Sequence, residues 1–263
     1  MVAAQRPPLW QCLIVQLRVV HALLMRELIT RFGRENLGVL WLVAEPMMFT
    51  LGVTAIWTLA GLHNGMRLPV VAFVVTGYST ILLWRNTTNR TAEAVEGNRT
   101  LLFHRRVRMI DVLIARIVLE EAGASASFMA LGTLFTYVGW MAPPVDLLKV
   151  MEGWLLLGWF AAALALAIGS ACVVSELVPR FWHPIAYFML PFSGALAMVD
   201  WVPKAAQKYL LLSPMVHGTE LIRDGWFGSA QRTHYDVPYM VVLCTALSLV
   251  ALGLQERVSR RLE

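Results

Sequence analysis

One carboxylate stands inside a long apolar stretch near the start of the chain. Glu45 lies about nine residues into the run from Leu37 to Leu62, which at 1.5 Å per helical residue is roughly 12 Å from the edge of that run. An ionised side chain in hydrocarbon is costly, so it needs a partner, a watery cavity or a proton, and each would make it a functional candidate. The alternative is a structural Glu45, neutral or hydrogen-bonded beside Pro46, whose missing N–H loosens the helix.

A second group of ionisable residues follows Ser213 and Pro214. His217 and Glu220 are three residues apart and can share one helical face, and Arg223 follows after three more. A metal site here is poorly supported, because no further ligands are visible and Arg223 competes for Glu220. Cys12, Cys172 and Cys244 are isolated, so no disulfide framework or zinc site is predicted either.

A third group is a short apolar knob in a basic segment between Asn86 and Met109. Its apolar residues are Leu101, Leu102 and Phe103, and its flanking arginines are Arg99, Arg105 and Arg106.

The composition indicates which kind of secondary structure positions these residues. The chain has 263 residues, 58% of them hydrophobic and 15% charged, whereas a soluble domain carries roughly 25% charged residues. Apolar runs of about 17 to 26 residues are near the length that crosses a bilayer as a helix. We predict an all-α polytopic membrane protein with an N-terminal part, 1–36, and one transmembrane domain, 37–263. Its six predicted spans run from Leu37 to Leu62, Leu68 to Trp84, Ala122 to Met141, Gly153 to Ser175, Pro184 to Val202 and Val237 to Leu254.

Basic residues divide unevenly between the two sides of these spans. Because basic loops are retained in the cytoplasm, the richer side, which holds both termini, is predicted to be cytoplasmic. The net charge of +5 is then membrane-edge charge, and nucleic acid is not an expected partner. The sixteen on the cytoplasmic side are Arg6, Arg18, Arg26, Arg31, Arg34, Arg85, Arg90, Arg99, Arg105, Arg106, Arg108, Arg116, Arg180, Arg257, Arg260 and Arg261, and the six on the outer side are Arg67, Lys149, Lys204, Lys208, Arg223 and Arg232.

Two segments outside the spans have helical character. The stretch from Trp10 to Arg31 has apolar residues at helical spacing and predicts an amphipathic helix in the membrane interface. The outer segment from Trp201 to Asp236 has two semi-apolar halves that are too short to cross singly, which predicts re-entrant or surface helices.

Several aromatic residues lie deep in the predicted spans. Aromatic faces can stack on sugar rings, so Trp57, Tyr78, Phe128 and Tyr187 are candidates to line a channel, and core packing explains them equally well. The sequence has no Gly-x-x-x-x-Gly-Lys-Ser/Thr loop and no nucleophile elbow, so neither ATP binding of that kind nor an intramembrane enzyme is predicted.

Three blocks of the sequence carry recognisable motifs. They are Arg26 to Trp41 and on to Glu45-Pro46, Asn98 to Phe103 and on to Arg116, and Ser213 to Arg223. Together they resemble the type-2 ABC permeases that export capsular polysaccharide. The second block is similar to the cytoplasmic loop between spans two and three of that family, and the third is similar to its outer motif. His104-Arg105-Arg106 departs from the pattern, where the family has a Phe-Pro-type turn.

The resemblance implies a subunit of an ATP-driven exporter in the inner membrane. It implies two copies of this chain with two copies of a separate ATP-binding subunit, which bind the ATP and Mg²⁺, while this chain binds no cofactor. The cargo would be a lipid-linked acidic polysaccharide passing from cytoplasm to periplasm, with periplasmic or outer-membrane export proteins as further partners.

The resemblance also assigns roles to residues. The knob from Leu101 to Phe103, with Arg99, Arg105 and Arg106, would couple the permease to the ATPase. The lipid anchor or acidic sugars would meet Arg26, Arg31, Arg34, Trp41 and Glu45, and His217, Glu220 and Arg223 would form an outer gate.

Three alternatives remain open from the sequence. The polymer could be another surface glycan, such as an O-antigen or a teichoic-acid-like polymer. A proton-coupled secondary transporter would use Glu45 as its titrating group. A membrane enzyme or assembly scaffold would need a polar cluster inside the bilayer, where only Glu45 is evident.

Overall fold

The protein is described from a computed structural model, which describes residues 9–32, 38–61, 68–97, 108–175 and 177–262. Within these ranges every regular element is helical, in agreement with the predicted fold class. The helices are α1 (Leu9–Phe32), α2 (Gly38–Leu59), α3 (Val70–Gly97), α4 (Met109–Val138), α5 (Leu147–Val174), α6 (Leu177–Phe188), α7 (Lys204–Leu210), α8 (Pro214–Phe227) and α9 (Val237–Leu262), with 3₁₀ turns at Leu190–Ser193, Val199–Trp201 and Gly228–Ala230.

Helix α5 lies at the centre of the bundle and packs against α3, α8 and α9. Its contact with α8 depends on small residues, since a Cβ atom at Gly153 would lie only 2.9 Å from the backbone nitrogen of Ile222. Small residues allow helix backbones to approach closely in membranes, where there is little hydrophobic drive for association. The apolar core on either side of α5 includes Trp84, Leu157 and Trp226.

Helices α2, α5 and α9 coincide closely with predicted apolar runs. Leu147–Val174 and Val237–Arg260 are long and apolar enough to cross a membrane, and Val43–Leu59 is a shorter apolar helix. Among the described residues the first two helices meet the length and hydropathy expected of a membrane span, so the predicted number of spans stays a prediction.

Helices α3 and α4 are longer than the predicted spans at the ends that the sequence assigns to the cytoplasmic side. Helix α3 continues thirteen residues beyond Trp84 to Gly97, and α4 begins at Met109 rather than at Ala122. Hydropathy missed these extensions because their buried faces carry polar residues such as Thr87, Thr91 and Asp111. The hydroxyl groups of buried threonines on α3 donate hydrogen bonds to backbone carbonyls of the same helix. The Thr87 hydroxyl, for example, donates to the carbonyl of Leu83 at 2.6 Å.

The predicted fifth span, from Pro184 to Val202, is wrong as a single helix. Helix α6 ends at Phe188 and two 3₁₀ turns follow, the first containing Pro191. Gly194 then adopts φ +74°, a left-handed conformation that suits glycine. These residues stop the helix although the stretch stays apolar, which is why a hydropathy window could not detect the break.

The two predicted helical segments outside the spans are confirmed as helices. Helix α1 covers the segment from Trp10 to Arg31, and it packs Leu23 and Leu24 against α4 while Trp10, Leu13 and Leu17 stay exposed. The outer segment folds as α7 and α8, which separate at Ser213-Pro214.

Candidate functional site

Glu45 has the partner that its position in an apolar helix demands. Its carboxylate forms an ion pair with Arg90 of α3, and Arg90 also pairs with Glu120 of α4 at 3.1 Å. Arg116 pairs with Glu120 at 3.3 Å and with Glu27 of α1 at 3.1 Å. We call these five residues the charge chain.

The charge chain joins helices α1, α2, α3 and α4. Its side chains are largely withdrawn from solvent, with exposures from 4% for Glu120 to 24% for Glu45. In a medium of low dielectric constant, losing one member of such a pair leaves an uncompensated charge, which costs more than a surface pair would. The charge chain therefore fixes the relative positions of four helices.

The residues predicted to meet the lipid anchor lie around the beginning of α2 and the end of α1. Arg26 is half-buried on α1, and Trp41 is 43% exposed in the first turn of α2, one turn before Glu45. Arg31 belongs to the last turn of α1, and its side chain, like the whole of Arg34, lies outside the described residues.

The predicted coupling residues also lie outside the described residues. Arg99, Leu101, Leu102, Phe103, Arg105 and Arg106 all belong to segment 98–107, between α3 and α4. The helix that follows this segment is capped by Asp111, whose carboxylate accepts a hydrogen bond from the Arg108 N–H at 3.0 Å and another from Gln16 of α1. Segment 98–107 thus connects α3 to α4, two helices of the charge chain. The first turn of α4 is in turn hydrogen-bonded to α1, a third helix of that chain.

The three predicted gate residues are buried on α8 and bind backbone groups of the irregular outer segments. Nε2 of His217 lies 2.8 Å from the Leu211 carbonyl, and its Nδ1 accepts a hydrogen bond from the N–H of Asp236 at 2.9 Å. The carboxylate of Glu220 accepts hydrogen bonds from the N–H groups of Val199 at 3.2 Å and His234 at 3.0 Å. His217 and Glu220 therefore hold the chain on both sides of α8.

Arg223 is a fully buried cation with a structural environment. Its guanidinium donates to the carbonyls of Gly194 and Ala195, the latter at 2.6 Å, and lies 4.0 Å above the ring centre of Phe73. Gly77 makes room for it, since a Cβ there would lie 2.6 Å from Arg223 Nη2 and 2.5 Å from the Ala195 oxygen. We call Arg223, Glu220 and His217, with the backbone groups they bind, the outer latch.

A carboxylate at the end of α8 joins the latch to the start of α5. Burial acts to raise the pKa of Asp224, but hydrogen bonds from Lys149 at 2.7 Å, Thr233 at 3.0 Å and Tyr235 at 3.2 Å outweigh it. The pKa of Asp224 is therefore held below its usual value, and the ionised form stabilises the fold.

The four aromatic candidates occupy different environments. Trp57 and Tyr78 line one narrow cleft between α2, α3 and the turn at Ala195. Phe128 lies in the core instead, stacked on Trp154 at 4.4 Å between ring centres, so it is packed away from any open surface of the protomer. Tyr187 is 58% exposed on α6, with the Arg85 guanidinium 5.5 Å from its ring centre.

The sequence interpretation missed Arg85 and Arg90, which it assigned to a cytoplasmic loop. Both lie within α3. A signal was present in the spacing of the buried threonines of α3, which keeps to one helical face beyond Trp84. Four of the buried threonines share this face, Thr76, Thr80, Thr87 and Thr91, whereas Thr88, which is also buried, lies to one side of it.

Comparison with known proteins gives consistent relatives. Residues 18–227 match the sequence profile described as ABC-2 type transporter. The chain is 38% identical over 264 residues to the capsule polysaccharide export inner-membrane protein CtrC of Neisseria meningitidis serogroup B, covering 100% of this chain and 99% of that protein. It is 37% identical to the capsule polysaccharide export inner-membrane protein BexB of Haemophilus influenzae, with 96% of both covered. It is 29% identical to the polysialic acid transport protein KpsM of Escherichia coli, over 80% of this chain and 81% of that protein.

Proposed function

Because the chain belongs to the ABC-2 type transporter family, we propose that it is the permease subunit of an exporter that moves lipid-linked acidic capsular polysaccharide from cytoplasm to periplasm. The chain is an inner-membrane protein for capsule polysaccharide export, as its similarity to CtrC and BexB over nearly the whole of each protein indicates. The full-length match to CtrC carries this conclusion. The lipid anchor, the acidity of the polymer and the direction of transport are parts of the proposal.

The ABC-2 family assignment implies a partner ATPase subunit. In our proposal two copies of this permease bind two ATPase subunits, and ATP and Mg²⁺ bind to the partner. The contact is made by segment 98–107, through Phe103 and its neighbours. Because this segment joins α3 to α4, a displacement of it would move the helices of the charge chain as one body.

The cytoplasmic side of the permease would receive the lipid anchor. The exposed apolar residues of α1, among them Trp10, Leu13 and Leu17, are suited to lie along the inner leaflet. Arg26, Arg31 and Arg34 would meet phosphate or acidic sugars, because guanidinium groups bind both in bidentate geometry. Glu45 is engaged by Arg90, so we assign it to positioning α2.

The outer side would close the path between transport cycles. In our proposal α7 and α8 are re-entrant helices. The outer latch, which holds the irregular chain from Gly194 to Val199 against α3 and α8, supports a closed outer side. Opening of the outer mouth would then require movement of this whole unit, and periplasmic or outer-membrane export proteins would engage it.

The pairing of Glu45 argues against the proton-coupled alternative. That mechanism needs a carboxylate that alternates between binding a proton and releasing it, whereas Glu45 has a guanidinium partner in a charge chain of four helices.

Deletion of the gene in its own host, with complementation, tests the proposed function. We expect loss of surface capsule with accumulation of the polymer inside the cell, measured by immunolabelling of intact and permeabilised cells. A Walker-A lysine variant of the partner ATPase is expected to give the same result. Normal surface capsule in the deletion strain would contradict the proposal.

A further inference from the structure

Helix α3 carries one polar stripe that the bundle leaves open. Between residues 72 and 94 its side chains are buried apart from six, and all six are polar. Their spacing follows a single helical face. The six are Tyr78, Arg85, Asn86, Asn89, Arg90 and Glu93.

The stripe lies between α2 and α6. On one side Glu45 of α2 pairs with Arg90. On the other side the Arg85 guanidinium lies over the Tyr187 ring, and His183 of α6 is 3.4 Å from Glu93. A polar stripe inside a membrane protein is expected to face a watery path or a substrate rather than lipid.

If α2 crosses the membrane as proposed, Arg85 lies near the middle of it. Arg90 is level with Glu45, the eighth residue of α2, and Arg85 is five residues nearer the outer end of α3, about 7.5 Å at 1.5 Å per residue. That places it level with Thr50, roughly 18 Å along a helix that is about 33 Å long. A cation at this depth requires a partner.

Three arginines of the bundle can be compared. Arg223 donates to two backbone carbonyls, and Arg90 pairs with two carboxylates. Arg85 is half-buried, and within the part of the chain that the structure describes no carboxylate lies within salt-bridge distance of it. The ring of Tyr187 covers one face of its guanidinium at 5.5 Å, within the range of a cation–π contact.

We infer that Arg85, oriented by Tyr187, is a binding site for the anionic groups of the transported polymer. A ring against its face leaves the in-plane N–H donors at the edge of the guanidinium, where they match a carboxylate or phosphate in bidentate fashion. The site would take the carboxylate or phosphodiester groups of an acidic polysaccharide and discriminate against a neutral one. This inference rests on the proposed function, because it needs the stripe to face the polymer path.

The test compares an acidic polymer with its neutral derivative. The permease–ATPase complex is placed in nanodiscs of phosphatidylcholine and titrated with fluorescent oligosialic acid, or with the same oligomer after reduction of its carboxylates to alcohols. Fluorescence anisotropy gives the Kd of each. We expect the wild-type complex to bind the acidic oligomer about tenfold more tightly, and Arg85→Gln to bring this ratio close to one.

Conservative variants separate recognition from folding. Arg85→Lys keeps the charge without the planar fork, so its ratio should fall between those of wild type and Arg85→Gln. Tyr187→Phe keeps the ring and should preserve the ratio, whereas Tyr187→Leu should lower it. Arg260→Gln is the control, because Arg260 is exposed and pairs within α9 with Glu256, and it should bind like wild type.

Each contrary outcome has one meaning. If the wild-type complex binds the acidic and the neutral oligomer with the same Kd ratio as Arg85→Gln, the inference is overturned and the proposed function still stands. If Arg85→Gln yields no intact complex, unchanged ratios in Arg85→Lys and Tyr187→Leu overturn it. If the Arg85 variants change the Kd ratio only in nanodiscs that contain anionic lipid, Arg85 binds a lipid headgroup, and the inference is overturned as well. The proposed function itself is contradicted by two results together. The wild-type complex binds neither oligomer, and deletion of the permease gene leaves the capsule intact.

Discussion

The charge chain and the outer latch use buried ionisable residues in different ways. In the charge chain the partners are side chains of four helices, Glu45, Arg90, Glu120, Arg116 and Glu27. In the outer latch the charged side chains bind backbone groups of non-helical segments.

The difference reflects what each region has to stabilise. Helices satisfy their own backbone groups, so side-chain pairs between them serve to fix one helix relative to another. Irregular chain at membrane depth leaves N–H and C=O groups that must find partners in the protein, because lipid offers none. Removing a latch residue should therefore be more damaging than removing one end of the charge chain.

Arg223→Ala is expected to have the largest effect. It leaves the carbonyls of Gly194 and Ala195 without their buried donor and Glu220 without a nearby cation. The expected cost is roughly 3 kcal/mol of stability, measured as a lower unfolding temperature of the purified complex. An unfolding temperature equal to that of wild type would contradict the latch.

Arg90→Gln is expected to come second, because it breaks two pairs of the charge chain. A loss of about 2 kcal/mol is expected, with reduced export. Glu45→Gln removes the charge that pairs with Arg90 and leaves an amide oxygen that can still accept from Arg90, so about 1 kcal/mol is expected. If Glu45→Gln abolished export at normal protein level and stability, Glu45 would have a role beyond positioning α2.

Gly77→Ala tests the close approach of α3 to the latch. The new methyl group would meet the Ala195 oxygen and Arg223 Nη2, at an expected cost of about 2 kcal/mol. Gly52→Ala on α2 is the matched control, because no atom lies within 4 Å of its Cβ position, and it should be neutral or stabilising by up to ~1 kcal/mol. Equal effects of the two substitutions would show that space at Gly77 is not limiting.

The smallest expected effect is the pH dependence of Asp224. Its pKa is lower in the folded protein than in the unfolded chain, so its contribution is fully present above the ordinary aspartate pKa of 3.8 and is lost as pH falls through the lowered value. Asp224→Asn should be less stable than wild type at neutral pH, and the difference should narrow on acidification. Thermal unfolding of both proteins across that range measures it, and a constant difference would be contrary evidence.

The sequence predicts the apolar helices well and the polar ones poorly. Apolar runs located α2, α5 and α9, but hydropathy could not follow α3 to Gly97, because charged and amide residues such as Arg85, Arg90 and Glu93 lower the mean hydropathy there. It also could not see the break after Phe188, because Pro191 and Gly194 interrupt a helix without lowering hydrophobicity.

For the candidate site, residue types and spacing in the sequence identified several of the functional residues but not the groups that those residues bind. Glu45 was evident as an anomaly in an apolar run, yet Arg90 is 45 residues away along the chain. His217, Glu220 and Arg223 share a helical face that the sequence displays, whereas the backbone groups they bind depend on the tertiary fold.

Reconstitution tests the central claim most directly. The permease and its partner ATPase are placed together in liposomes loaded on one side with lipid-linked capsular polysaccharide, and polymer appearing on the other side is measured. We predict transport that requires ATP and both subunits and continues when a protonophore removes any proton gradient. Transport by the permease alone, or transport that stops with the proton gradient while ATP remains, would contradict the account.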